Sequence, residues 1–463
     1  MTRRPSLTKT RILATALVAI TATQAISETL TDALVSAYNN SHLLEQNRAV
    51  LRAADEDVAQ AVAVLRPTLD YGVSRQFQQD FDNDNTVAYN TLELTSDLTI
   101  YEFGRNRVAI EAAKESVLSA RESLIAQEQS VFLDAVAAYM SVRRALEFVN
   151  LGQSNVRVLQ EEVRAAQDRF EVGEVTRTDV AQAQSRLALA EANLSSAEGD
   201  LEVARENYRL AVGRYPGDLA PPPALPRVPA TEAEARTVAL RTHPRILEAQ
   251  HLVTVAELNM SRAEAAVMPS LSASASVGYS DQQSSDGNLE PSARAGISFG
   301  GPIYRGGALN SVFRQARAQR DQNRANLLQT SSSIAERLGV AWANAEVARA
   351  TLEATGRQIE AAQIAFDGTR EEATLGSRTT LDVLNAEQEL LNARADRIDA
   401  TAQEYIAYYS LLAAMGQLTV DYLNLPVTAY DPSAYYNSVR NAPAIGSEQG
   451  IRLDRVLQSI GKY

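Results

Sequence analysis

The sequence predicts a mostly α fold with membrane β-hairpins, built as a tandem structural repeat, and three observations predict it. Apolar residues recur every seven positions through long proline-free stretches, two segments switch to alternation, and the second half repeats signature residues of the first at one spacing. Composition agrees. Alanine, Glu, Gln, Arg and Leu dominate while aromatics are only 6%, which suits long packed helices better than a compact enzyme core.

The chain opens with Arg3, Arg4, Lys9 and Arg11, an apolar run from Ile12 to Ile20, and Thr23-Gln24-Ala25. This is the pattern of a secretory signal over residues 1–25, cut after Ala25 or Ser27. The apolar run is too short to span a bilayer and no later stretch reaches about 18 apolar residues, so an inner-membrane transporter is excluded. There is no cysteine, which removes a disulfide scaffold, a thiolate metal site and a cysteine-linked lipid anchor. Without the signal, 40 basic residues face 57 acidic ones, a formal charge of −17 that speaks against a nucleic-acid partner.

A first repeat spans 26–215, a seam 216–230, a second repeat 231–425 and a C-terminal extension 426–463. The seam is marked by Pro216, Pro221, Pro222, Pro223, Pro226 and Pro229, whereas 68–215 and 303–425 contain no proline. Each repeat starts with a helical stretch, about 29–66 and 231–267, that stops at Pro67 or Pro269. Alternation then sets in: Leu69, Tyr71, Val73, Phe77 and Phe81 form one strand, Leu92, Leu94, Leu98 and Ile100 the next, with Asp80 to Asn85 as the turn. Leu271, Ala273, Ala275, Val277 and Tyr279, then Ala293, Ala295, Ile297 and Phe299, repeat the hairpin around the loop Asp281 to Glu290. Strands of this length suit a tilted membrane-spanning strand.

Behind each hairpin the helical period returns. Val142, Val149, Val156, Val163 and Phe170 fall at sevens beside Ala145, Gly152, Leu159 and Ala166; past Gly173 the seam resumes through Val180, Leu187, Leu194, Leu201 and Tyr208. The second repeat answers with Leu352, Ile359 and Phe366, then Leu384, Leu391, Ile398, Tyr405 and Leu412, and alanine at alternate core positions lets these helices pack closely. The stretch 104–172 would run about 100 Å as one helix, close to the summed length of the shorter helices 37–66 and 177–212, so two short helices are expected to stack along one long one.

Signature residues align at an offset of 203: Tyr101 and Gly104 with Tyr304 and Gly307, and Gly173, Thr176, Asp179, Val180 with Gly376, Thr379, Asp382, Val383. Four strands cannot close a barrel, and bare strand edges are not tolerated in lipid, so further copies of the chain must complete it. On their own, Gly173 and Gly376 read as helix-ending glycines, and Asp179 and Asp382 as first-turn carboxylates behind the caps Thr176 and Thr379. His42, His243 and His251 form no spaced metal set. Residues 426–463, with Tyr430, Tyr435 and Tyr436, read as a poorly packed extension whose end, Ile451 to Tyr463, has the pattern of an amphipathic helix.

The signal, the duplicated helix–hairpin–helix halves, Pro67-Thr68-Leu69 and Pro269-Ser270-Leu271, the Tyr-x-x-Gly turns and the run Leu375 to Ala386 together resemble the TolC family of outer-membrane efflux proteins, over about 28–424. The resemblance implies a homotrimer with a long α-helical coiled-coil barrel and one shared 12-stranded β-barrel in outer-membrane lipid, most of its mass in the periplasm. It implies a passive duct, not an enzyme, without cofactors or metal. Its partners would be a periplasmic adaptor (membrane fusion protein) and an inner-membrane ABC or proton-driven transporter. It implies a tunnel constriction at Asp382 and at Asn385, where relatives often carry a second aspartate, and a gate latch through Arg378 and Asp179. The tip turns would be Gly173, Thr176, Gly376 and Thr379, and the strand–helix turns Tyr101, Gly104, Tyr304 and Gly307. A tyrosine that strengthens the latch in some relatives falls at Ala373. Cargo stays open between drug or metal-ion efflux and type I protein secretion, with the missing lipid-anchor cysteine and the polar tail leaning to the latter. The rival class is a periplasmic structural coiled coil or adhesin without channel activity, which leaves the hairpins unexplained.

Overall fold

A computed structural model describes residues 27–80, 85–282, 290–444 and 447–459; the signal segment and the centres of both hairpin loops lie outside the described residues. In order, the elements are α1 Leu30–Asn40, α2 His42–Ala63, β1 Asp70–Asp80, β2 Asn85–Tyr101, α3 Arg105–Glu171, α4 Arg177–Val212, α5 Glu232–Thr242, α6 Pro244–Ala265, β3 Ser270–Gln282, β4 Glu290–Gly300, α7 Ala308–Thr374 and α8 Thr380–Ala414. Three short helices follow: α9 Val420–Leu423, α10 Pro432–Val439 and α11 Glu448–Ser459.

The expected pairing of lengths is present. The helices α3 and α7 each have 67 residues, about 100 Å of helix. Both α2 and α4 pack along α3, and α6 and α8 pack along α7 while also touching α3. The heptad residues Val142, Ala145, Val149, Val156, Leu159 and Val163 are buried, as are Ala183, Ala190, Leu201 and Tyr208 facing them. The period of seven therefore sets the α3/α4 seam directly.

Each opening helical stretch differs from expectation by dividing in two. The Ser41 hydroxyl accepts the Leu44 N–H (3.2 Å), and His243 Nδ1 accepts the Arg245 N–H (3.2 Å) with Pro244 at the first helical position. These caps start new helices and turn the chain from the protein's waist toward the strands. Burial, chiefly, holds the His243 imidazole down at about 4, so it caps as a neutral ring.

The strands form one antiparallel sheet in the order β1-β2-β3-β4, with β2 and β3 joining the two repeats. Asp281 and Glu290 belong to strands rather than to the loop between them. The close approach of β2 and β3 requires Gly278, where a Cβ would lie 2.5 Å from the Leu92 carbonyl oxygen. On the outer strands Tyr71, Val73, Phe77, Ile297 and Phe299 are exposed, an apolar row a globular protein would bury.

At the waist, α1, the middle of α3, the end of α4 and the end of α8 share one core around Phe132, Tyr139, Tyr208 and Leu412. The buried Glu28 ties the start of the described chain to the seam. Its carboxylate accepts from the Tyr208 hydroxyl (2.5 Å), Arg214 (2.8 Å) and the Gly217 N–H (3.0 Å). The Tyr139 hydroxyl donates to the Ala220 carbonyl (2.6 Å), and burial, more than any charge, pushes it up to about 12.

The C-terminal extension corrects the sequence reading, because its first part is well packed. The Tyr430 N–H donates to the Tyr38 hydroxyl (2.9 Å), the Tyr435 hydroxyl donates to Glu56 (2.6 Å), and Arg121 lies over the Tyr436 ring at 5.5 Å. Arg66, at the foot of β1, donates to the carbonyls of Asn441 and Ala442. Three tyrosines look polar in a sequence window, yet here the rings of Tyr430 and Tyr436 pack beside Leu51, Val58 and Val117, and the Tyr435 hydroxyl is paired with Glu56. The amphipathic end is helical as α11 over its described part.

Candidate channel gate

The functional candidates lie at the far ends of the two helical hairpins, α3/α4 and α7/α8. Each apex turns on a left-handed glycine, Gly173 at φ +80° and Gly376 at φ +78°. In the second, the Ser377 N–H bonds back to the Glu372 carbonyl (3.0 Å), the closure expected when a glycine ends a helix. The next helix then starts on a reciprocal cap. Thr379 Oγ1 accepts the Asp382 N–H (3.2 Å), while Asp382 Oδ2 accepts from the Thr379 N–H (3.0 Å) and hydroxyl (2.8 Å). Thr176 and Asp179 repeat it at 3.3, 2.8 and 2.7 Å. Both carboxyls are held below the usual carboxylate range by the bonds from their threonines, so both are ionised at neutral pH.

At the other ends of the long helices, Gly104 (φ +84°) and Gly307 (φ +82°) start α3 and α7 after Tyr101 and Tyr304. The residue before each glycine is also left-handed: Gly306 (φ +57°) in the second repeat, but Phe103 (φ 48°) in the first. The Phe103 ring rests 4.9 Å from that of Tyr101, a contact that accompanies the unfavourable backbone.

Within one chain the structure does not bring Arg378 and Asp179 together. Arg378 pairs with Glu372 of its own hairpin (2.8 Å), and the Asp179 carboxylate is occupied by Thr176. The hairpins are tied elsewhere. Leu384 of α8, 3% exposed, is buried in one cluster with Val156, Leu159 and Ala190 of α3 and α4. Arg186 of α4 donates to Asn385 (3.3 Å), and Arg370 of α7 pairs with Glu162 of α3 (3.8 Å). Beside them Glu387 is buried, and burial pushes its carboxyl up to about 7, with Glu162 raising it further and Arg370 opposing. Sequence reasoning named Asn385 for the constriction and not as a tie, and missed Leu384 as a tie and Glu162, Arg370, Arg186 and Glu387 altogether. One signal was available: Glu387 stands three residues after Leu384 and four before Leu391, on the heptad face where a carboxylate is out of place.

The described chain is thus two paired helical hairpins on a four-stranded sheet with long, apolar outer strands. Solved structures share that architecture. The Campylobacter jejuni CmeC outer membrane channel matches with a TM-score of 0.74 at 17% identity, covering 91% of each chain. CusC matches at 0.74 and 19%, over 84% of this chain and 92% of its own. The Vibrio cholerae outer membrane protein VceC matches at 0.71 and 21%, over 84% and 96%. The chain belongs to the outer membrane efflux protein family, whose model matches residues 33–214 and again 236–417, at the same spacing of 203. It is 36% identical over 428 residues to the outer membrane efflux protein BepC of Brucella suis biovar 1 (strain 1330), covering 91% of this chain and 92% of that protein. Similarity extends to outer membrane protein TolC of Escherichia coli (strain K12), 26% over 273 residues and 54% of each chain. The alkaline protease secretion protein AprF of Pseudomonas aeruginosa is 27% identical over 252 residues, 53% of this chain and 52% of its own. The chain is thus an outer-membrane exit-duct protein, with a transport role.

Proposed function

We propose that three copies of the chain assemble into one passive duct. Twelve strands would close a barrel in the outer membrane, and the helices would form a periplasmic tunnel that a periplasmic adaptor joins to an inner-membrane ABC or proton-driven transporter. The observation that carries this is the open sheet: β1 and β4 each have one neighbour and carry exposed apolar rows, a state stable in lipid only when the edges are paired by other copies.

At the tunnel's far end, Asp382 would form a ring of like charges that favours cations, with the uncharged Asn385 one turn deeper. Arg378 and Asp179, each at an exposed apex, would join adjacent copies as a second latch; Arg378→Ser is expected to raise the open fraction, and unchanged current would count against it. Efflux of small molecules is favoured by the 36% identity to an efflux protein across 91% of the chain. Protein secretion of type I is favoured by the alkaline protease secretion protein AprF and the proteases secretion protein PrtF of Dickeya chrysanthemi, 26% identical over 257 residues.

The test is planar-bilayer conductance of protein extracted from outer membranes, with its oligomeric mass measured in the same detergent. A trimer carrying small cation-selective currents is expected. A soluble, non-conducting species would overturn the duct and return the periplasmic coiled coil.

A further inference from the structure

The interface between the two hairpins contains a group that neither packing nor the constriction explains. Glu387 is only 8% exposed, and its Oε2 has no hydrogen-bond partner. It lines a small cleft between α3, α4 and α8 with Asn155, Leu159, Arg186 and Gln388. The charged groups bearing on it come from every packed element: Glu162 from α3, Arg370 from α7, and Arg186 from α4, which is engaged with Asn385. Two carboxylates thus share one guanidinium, and Arg370 sits 3.8 Å from Glu162. A seam built for strength would hold an alanine or leucine at position 387, as at its heptad neighbours Leu384 and Leu391.

We propose that Glu387 is a proton-operated gate residue: protonated, it lets the α7/α8 hairpin seat against α3/α4, and ionised, it drives the two apart and favours the open duct. This rests on the exit-duct reading. In the joined state the carboxyl is buried next to Glu162, so the neutral form fits and the anion does not. Separation returns the group to water, where its affinity for a proton is that of an ordinary glutamate. The joined state therefore binds the proton more tightly, and by linkage acid favours closure while rising pH favours opening. With about 7 for the joined state and the ordinary 4.5 for the separated one, the open-to-closed ratio rises about tenfold per chain between pH 6 and pH 8 and levels off above that. Within one chain Asp382 does not supply this response, because the bonds from Thr379 hold its carboxyl below the usual carboxylate range.

The experiment is open probability in planar bilayers from pH 5.5 to 8.5, on the full-length oligomer and its variants. The unsubstituted protein is expected to open more as pH rises through 7. Glu387→Gln should flatten the profile on the closed side, and Glu387→Asp should restore a titration. Arg370→Met removes the cation that favours the anion and leaves the fold of α7 intact, since the side chain is mostly exposed; it should move the midpoint to higher pH. A conducting trimer whose pH profile is the same with Glu387→Gln, or whose midpoint ignores Arg370→Met, overturns the gate and leaves the duct standing. A protein that never conducts overturns both.

Discussion

The tie that Leu384 makes between the hairpins has a calculable consequence. Leu384 is buried against helices of the other hairpin, so separating the hairpins returns it to water. Full burial of a leucine side chain is worth about 2 kcal/mol, and alanine keeps roughly a third of that. Leu384→Ala is therefore expected to shift each chain toward separation by on the order of 1.5 kcal/mol, about tenfold in the ratio of open to closed. Single-channel recording at fixed pH is the assay. A packing defect anywhere could loosen a channel, so the control is Leu338→Ala. Leu338 is fully buried with Ile334, Ile246 and Leu411, far along α7 from the apex. Its truncation should cost about 2–5 kcal/mol of stability, seen as a lower oligomer dissociation temperature, with little change in open probability. If both variants open the channel equally, or if Leu384→Ala lowers stability without touching the current, the hairpin contact is not part of the gate.

Three further outcomes follow from the described contacts. Asp382→Asn and Asp179→Asn each remove the charge that completes a tip capping box, so both should fray a tip in hydrogen exchange, but only Asp382→Asn should reduce cation selectivity; equal selectivity in the two variants would remove Asp382 from the constriction. Asp55, buried beneath the C-terminal segment with neither oxygen hydrogen-bonded, is pushed up to about 6 by burial. Its charge opposes folding above that pH, so Asp55→Asn should raise the unfolding midpoint at pH 8 and the gain should shrink as pH falls through 6. Tyr208→Phe removes a donor to the buried Glu28 carboxylate and is expected to cost about 1.5–3 kcal/mol, read as a lower chemical-denaturation midpoint.

The fold was legible because its determinants are local and periodic. The sevens at Val142 to Val163 lie on one face of one helix, and the alternation around Tyr71 and Val277 records a strand with two unlike sides. Capping boxes at Thr176 and Thr379 could be read for the same reason, since donor and acceptor sit three residues apart. The inter-hairpin ties could not. Arg370 and Glu162 are 208 positions apart, and nothing in either neighbourhood marks a partner. The tail failed for a related reason: Tyr430 and Tyr436 gain their burial from residues of α2 and α3, and Tyr435 its partner from Glu56 of α2, not from any period of their own.

The two repeats share a sequence pattern but not an environment, and the difference bears on the proposed assembly of copies. Helix α3 packs against α1, α2, α4, α6 and α8, while α7 packs on α5, α6 and α8. Yet α7 also presents Leu328, Val340, Val347 and Ile364 to solvent, the last two at 64% and 68% exposure, and α2 and α4 present Val50, Leu189 and Val203. Each chain thus offers, on α7, a helix face lacking the additional cover that α6 and α8 give α3, and, on α2 and α4, a second face of the type that could supply it. Such unlike, complementary faces generate a closed ring when the rotation between copies returns on itself. A carboxylate there has to be stripped of water without a partner, so Val347→Asp or Ile364→Asp should dissociate the oligomer while the helical circular dichroism of the chain persists. A substituted protein that keeps its full oligomeric mass would mean that copies meet through the barrel alone, and that the helical tunnel is closed by some other face.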